Sequence, residues 1–396
     1  MRFNTTLLHG NKMGDVNTGA TLTPVYQSSA FYQPSAEQHE KLFHNKATGF
    51  SYTRINNPTI FAFEERMTTL EGGLASVACA SGMAAITNAL LNIVTCGQEI
   101  VASTSLYGGS IDVFHDFEAF GIKTVFVDIS DVNAVEAAIN ENTRVIFAET
   151  IGNPKLDVVD IEALAELAHR HDLPLVMDNT VATAYLVKPI EKGADIVVNS
   201  TSKYINGNSN AIKWNKEKYP GVAEYARFGK MAYTAKLRNG LFRNTGACMA
   251  PQTAFYNLIG METLGLRMER ACSNAKALAE FLNTYPDITV NYPGLACSPW
   301  HDVADKVLAN GYGAILTIRV GSKERAFSII NNLSIPKIVS NIGDTKTLII
   351  HPESTLNAHS TEKEKEDAGV FDNLIRISVG IEDIEDLIED FKAALA

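Results

Sequence analysis

The 396-residue chain is 46% hydrophobic and 20% charged, with a formal net charge of −11; this is an ordinary globular composition, on a chain too long for one simple core. The acidic balance argues against a general nucleic-acid binder and offers no polybasic handle to an anionic membrane. The opening MRFNTTLLHGNKMG holds no signal-like apolar core, no stretch reaches a membrane span, and five dispersed cysteines without a CxxC pair fit reduced thiols, so a cytoplasmic protein is expected.

Residues 1–60 are polar and weakly periodic and read as an arm. From Phe61 the pattern alternates. IFAFEERMTTLEGG is helical, and LASVACASGMAAITNALLNIV is a short apolar run, a Ser-Gly turn and a helix. EIVAST, KTVFVDI, TRVIFAET, PLVMDNT and IVVNSTSK read as strands, with helices SIDVFHDFEAFG, VNAVEAAIN and DIEALAELAHRHD between them. Such alternation predicts an α/β fold, a mostly parallel sheet covered by helices, over residues 61–250. From Met249 the stretch APQTAFYNLIGMETLGLRMERACSNAKALAEFLNTYP reads as one long helical run into a smaller α+β domain, residues 251–396. Its strands are AILTIRV, TLIIHP and LIRISVG, and it closes on an acidic helix. TEKEKED is a charge run expected on a solvated face. Nine histidines form no HxxxH or HExxH, so no metal site is expected. His169 and His171 read as solvated imidazoles near a helix end.

Three features fall at carboxyl ends of predicted strands, where ligands of such sheets collect. In ASGMAA, a Ser-Gly helix start leaves the N–H groups of Gly82 and Met83 aimed at an anion; helix capping alone also explains it. In VMDNT, Asp178 ends an apolar strand, where a carboxylate is costly unless it meets a cation; a helix N-cap is the alternative. In VNSTSKYINGNSNAIKW, Ser200 and Ser202 can donate to phosphate oxygens and Lys203 can bond an aldehyde. A phosphate cradle, a cation-pairing acid and an amine nucleophile are together what pyridoxal 5'-phosphate needs.

The motifs YTRINNPT, ASGMAAI, LYGGS, ETIGNP, VMDNT, STSKY, FRNTGACMAPQTAF, NIGDTKTLIIHP and IRISVGIED span nearly the whole chain. In them it resembles the cystathionine γ-synthase/methionine γ-lyase group of pyridoxal-phosphate enzymes. The resemblance implies a fold type I transferase. Lys203 matches the Schiff-base lysine, Asp178 the acid on the pyridine nitrogen, and Tyr107 the aromatic stacked on the ring and a candidate acid or base. Gly82, Met83, Ser200 and Ser202 match the phosphate cradle, and Asn153 a residue near the ring hydroxyl. Arg376 matches the arginine that grips the substrate carboxylate, with Asn341 beside it. Tyr52 and Arg54 match residues reaching the cofactor phosphate of a neighbouring subunit, with Tyr52 also near substrate. That implies a homo-oligomer, in this family usually a tetramer.

The activity these motifs imply is replacement at the γ-carbon of O-acetylhomoserine by a sulfur donor, giving homocysteine. Gly109 stands where the lyase resemblance calls for a cysteine. A methionine or cystathionine γ-lyase, and a silent binding protein on the same fold, are the alternatives. No GxGxxG follows the first strands, which sets a nicotinamide oxidoreductase aside. One departure stands out. Relatives continue past the lysine with a Gly-rich strand and loop, whereas here Ile212 runs straight into KWNKEKYP, so a core strand is expected to be missing.

Overall fold

The computed structural model describes residues 1–10, 14–15, 17–201, 203, 208–209 and 214–396. The strands among the described residues are β1 Ala75–Ser76, β2 Glu99–Ser103, β3 Lys123–Val127, β4 Thr143–Glu149, β5 Leu175–Asp178, β6 Ile196–Val198, β7 Asn208–Ser209, β8 Thr289–Asn291, β9 Ile315–Arg319, β10 Lys337–Ile338, β11 Leu348–Ile350 and β12 Leu374–Ser378. The chain forms two compact units, each made from two segments: Met1–Ile93 with Val198–Leu264, and Val94–Val197 with Gly265–Ala396.

In the first unit, helix Pro58–Glu71 starts with Asn57 as N-cap and Pro58 in the first turn, and ends at Gly72 with φ 75°. Its buried Phe63, Met67 and Leu70 face helix Pro251–Met261, which buries Ala254, Leu258 and Met261. The N-terminal stretch is more ordered than its weak periodicity predicts: it carries helices Phe3–His9 and Ala36–Phe43, the latter capped by Ser35. A short strand, β7, lies between Lys203 and Ile212. β7 pairs antiparallel with β1, Ala75 opposite Ser209 and Ser76 opposite Asn208. The junction at Ile212 lies outside the described residues.

In the second unit the order β6-β5-β4-β2-β3 holds the predicted alternation, and β5, β4, β2 and β3 pair in parallel. Val145, Ile146, Phe147, Leu175, Val176 and Met177 are sealed from solvent, as expected for strands covered on both faces. The second sheet runs β10-β11-β12-β9-β8, antiparallel except for the β10–β11 pair. Alternation along β12 turns Ile375 and Ile377 into an apolar core with Leu316, Ile318, Leu387 and Phe391 and leaves Arg376 for the other face. Each such aliphatic side chain contributes about 1.5–3 kcal/mol on burial. The long run after Met249 is two helices, Pro251–Met261 and Leu264–Leu282, interrupted at Glu262–Thr263. TEKEKED forms helix Glu362–Asp367 with no buried residue, closed by a Thr361–Glu364 capping box.

Candidate active site

In the first unit, Ser81 caps helix Gly82–Leu91 by accepting from the Ala84 N–H at 3.1 Å. The Gly82 and Met83 N–H groups, in the opening turn, have no intrahelical acceptor. A Cβ on Gly82 would lie 2.7 Å from the Ser200 Cβ and 2.8 Å from its Oγ. Only glycine lets the helix start close on the serine. Lys203 donates its backbone N–H to the Ser200 carbonyl at 3.1 Å, so serine and lysine share one tight turn just past β6. Ser202 lies outside the described residues. Elsewhere in this unit, the Arg54 guanidinium lies 5.3 Å from the Tyr52 ring centroid and donates to the Arg243 carbonyl at 2.6 Å. Tyr52 is 42% exposed.

In the second unit, the carboxyl ends of the parallel strands carry acids. Asp178 ends β5 and sits directly opposite Glu149, which ends β4. Asp178 is half-buried and accepts the Thr180 N–H at 2.9 Å. It starts a turn; the next helix, Thr183–Leu186, has Ala182 as its N-cap, so the helix-cap alternative falls away. Burial pushes the Asp178 carboxyl up to about 6, the signature of an acid awaiting a cationic partner. Glu149 is 5% exposed. Burial first, and the Asp178 charge second, raise its pKa well above the carboxylate range, while the Tyr107 N–H pulls it down.

That N–H donates to Glu149 Oε1 at 2.6 Å. Tyr107 is the N-cap of helix Gly108–Glu118, so Glu149 fixes the start of this helix and the place of the aromatic ring, which is 40% exposed. Glu149 is a residue that sequence reasoning missed, although ETIGNP was singled out. The signal was an acid at the last position of a buried strand, parallel to that of Asp178.

Arg376 is buried and points from β12 toward Asn153 and Asn341. Its Nη1 donates to Asn153 Oδ1 and its Nη2 to the Asn341 carbonyl, both at 3.1 Å. Burial lowers its pKa to about 10. It has no carboxylate partner among the described residues, so a buried guanidinium fork is held in place but not neutralised. The structure thus gathers Tyr107, Glu149 and Asp178 into one cluster, and Asn153, Arg376 and Asn341 into another, within one unit. It gathers Gly82, Ser200 and Lys203 within the other.

The model of the Cys/Met metabolism PLP-dependent enzyme family matches residues 4–396. This chain belongs to that family. It is 41% identical to an L-methionine γ-lyase of Fusobacterium nucleatum, over 99% of this chain and 97% of the relative. It is 39% identical to an O-acetyl-L-homoserine sulfhydrylase of Corynebacterium glutamicum, over 100% and 97%. A solved Campylobacter jejuni structure described as an O-acetylhomoserine (thiol)-lyase bearing N'-pyridoxyl-lysine-5'-monophosphate is similar over the whole of both chains, at TM-score 0.95 and 32% identity. Pyridoxal phosphate is therefore the cofactor, and the fold is that of the fold type I enzymes. The residues fit the group: a Cβ-free helix start against a serine suits the phosphate, and a half-buried acid lacking a cation suits the pyridine nitrogen. No helix among the described residues is long and apolar enough to cross a membrane, and they hold no cluster of metal-binding side chains.

Two sequence expectations need correction. His169 is not merely solvated: its Nε2 bonds Asp195 Oδ2 at 2.9 Å. His171 likewise meets Glu136 Oε1 at 3.1 Å.

Proposed function

We propose that the chain catalyses γ-replacement on O-acetylhomoserine, exchanging acetate for a sulfur nucleophile, with sulfide the simplest donor, to give homocysteine for methionine biosynthesis. The observation that carries this over elimination is at Gly109, where the γ-lyase resemblance calls for cysteine. A Cβ there would lie 2.6 Å from Cε1 of the Tyr107 ring and 3.2 Å from Cζ. A cysteine at 109 requires that ring to move. Relatives named as sulfhydrylases support the same reading.

Each residue then has a task. Gly82 and Met83 N–H groups, with the Ser200 and Ser202 hydroxyls, hold the cofactor phosphate. Asp178 would keep the pyridine nitrogen protonated, and Tyr107 and Asn153 would hold the ring. Bound there, pyridoxal phosphate withdraws electrons and stabilises negative charge next to the substrate α-carbon. Arg376, with Asn341, receives the substrate carboxylate as a fork. Lys203 anchors the cofactor aldehyde; its Nζ, once free, takes the α-proton and then helps remove a β-proton. The Tyr107 hydroxyl is placed to assist departure of acetate from the γ-carbon. Tyr52 and Arg54 serve the phosphate in a neighbouring subunit, so the active unit is at least a dimer, working in the cytoplasm as a homotetramer.

The test is to give the cofactor-loaded protein O-acetylhomoserine with and without sulfide. The expected result is homocysteine and acetate only when sulfide is present. The 41%-identical γ-lyase relative favours a second reading, elimination to 2-oxobutanoate and ammonia; those products dominating with sulfide present would replace the proposal by it.

A further inference from the structure

Two of the five cysteines face each other across a backbone bridge. Cys79 and Cys248 are directly opposite in an isolated antiparallel bridge. The flanking hydrogen bonds run from the Ala80 N–H to the Ala247 carbonyl at 2.8 Å and from the Met249 N–H to the Ala78 carbonyl at 3.3 Å. That pattern makes Cys79 and Cys248 a non-hydrogen-bonded pair, the kind in which Cα atoms approach to about 4.5 Å and side chains share one face. Disulfides span Cα separations of about 4.4–6.8 Å, so the backbone already meets the requirement. The segment is also anchored. The Ala78 N–H donates to Glu64 Oε1 at 2.8 Å, and Glu64 pairs with Arg238.

We propose that Cys79 and Cys248 are a site of reversible covalent modification by small disulfides, closing to an intramolecular Cys79–Cys248 disulfide beside the Ser81–Met83 helix start. Cys248 is half-buried and Cys79 fully buried, which sets the order of events. The Cys248 thiolate attacks one sulfur of the external disulfide, forming a mixed disulfide and expelling one thiolate. The Cys79 thiolate then attacks the Cys248 sulfur and expels the second. The two protein thiols lose two electrons and two protons; the external disulfide gains them and leaves as two thiols.

Closure is the slow step. Burial first, and the Glu64 and Cys248 charges after it, hold the Cys79 thiol up at about 12, against the pull of Arg238; the buried Tyr233 hydroxyl, itself pushed up by burial, is the other titratable neighbour and stays neutral. The fraction of reactive thiolate at Cys79 therefore rises about tenfold per pH unit through the neutral range. The modification is independent of the proposed activity.

The test treats the cofactor-loaded wild-type protein with oxidised glutathione, alkylates the remaining thiols, and maps peptides by mass. The expected result is one peptide pair linked through Cys79 and Cys248, unlinked glutathione on no cysteine other than the exposed Cys96 and Cys297, restoration by dithiothreitol, and closure about tenfold faster per pH unit from 7 to 9. Cys79→Ser should stop at a glutathione adduct on Cys248. Five free thiols after treatment, a linkage through Cys96, Cys272 or Cys297, or a wild-type adduct on Cys248 that never closes would each overturn the proposal.

Discussion

Two acids end adjacent strands, and their environments divide their tasks. The charge of Asp178 is stabilised by the side chain and the N–H of Thr180, whereas Glu149 accepts from the amide that starts the Tyr107 helix. Replacing Glu149 with Ala leaves that buried amide without its acceptor, at about 1–3 kcal/mol, and should weaken cofactor binding about tenfold. Glu149→Gln keeps an acceptor oxygen and should bind the cofactor nearly as wild type does, judged by the cofactor's visible absorbance on titration. Equal losses in both variants would mean that the charge, and not the amide bond, is what matters.

Asp178 makes a pH prediction for the cofactor-free protein. Its folded pKa of about 6 lies above the ordinary 3.8, so the folded state binds this proton more tightly than the unfolded chain. Its favourable contribution is present below pH 3.8 and is lost as pH rises through 6. Cofactor-free Asp178→Asn should therefore gain denaturant resistance over wild type above pH 6 and lose that advantage toward pH 4. At this scale the sequence singled out Asp178 as a charge at the end of an apolar strand and Lys203 as a lysine after a run of hydroxyl residues, whereas Arg376 came only from the family resemblance. Glu149 escaped because its role is a backbone bond to a residue distant in sequence.

Among the elements, the strands β2 to β6 were legible because Val- and Ile-rich runs alternate with amphipathic helices. β8 and β10 were not, being three and two residues long and defined by their neighbours more than by their own pattern. The strand expected over IVVNSTSK ends with its apolar run, since only Ile196–Val198 is strand before the turn at Ser200 begins. β7 was not legible either, since Asn208 and Ser209 carry no strand signal of their own; the strand expected to be missing belongs after Ile212 and is a separate one. One helix end also has a pH consequence. His169 closes helix Ile161–Arg170 onto Asp195, whose Oδ2 also accepts the Leu175 N–H at 2.8 Å. The hydrogen bond that the His169 imidazolium donates to Asp195 raises the His169 pKa above 6.5. Its stabilisation is fully present below pH 6.5 and fades as pH climbs through the raised value. The gap in urea midpoint between wild type and His169→Gln should therefore be larger at pH 5.5 than at pH 9; an unchanged gap would show that the imidazolium adds nothing here.

For the molecule as a whole, the family resemblance was legible end to end because its motifs sit at strand ends and loops throughout the chain. What the sequence could not supply was the geometry that makes Gly109 informative: the proximity of its Cα to the Tyr107 ring. The proposed sharing of a site between subunits makes a prediction of its own. Lys203→Ala and Arg54→Ala subunits, each weak or inactive alone, should recover activity when unfolded together and refolded, since hybrid oligomers contain sites with both residues intact. No activity above the sum of the two would mean that each site is built within one subunit. The central claim, replacement over elimination, is tested most directly by one ratio: homocysteine formed to 2-oxobutanoate formed from O-acetylhomoserine at saturating sulfide. The account predicts homocysteine in large excess; 2-oxobutanoate in excess would contradict it.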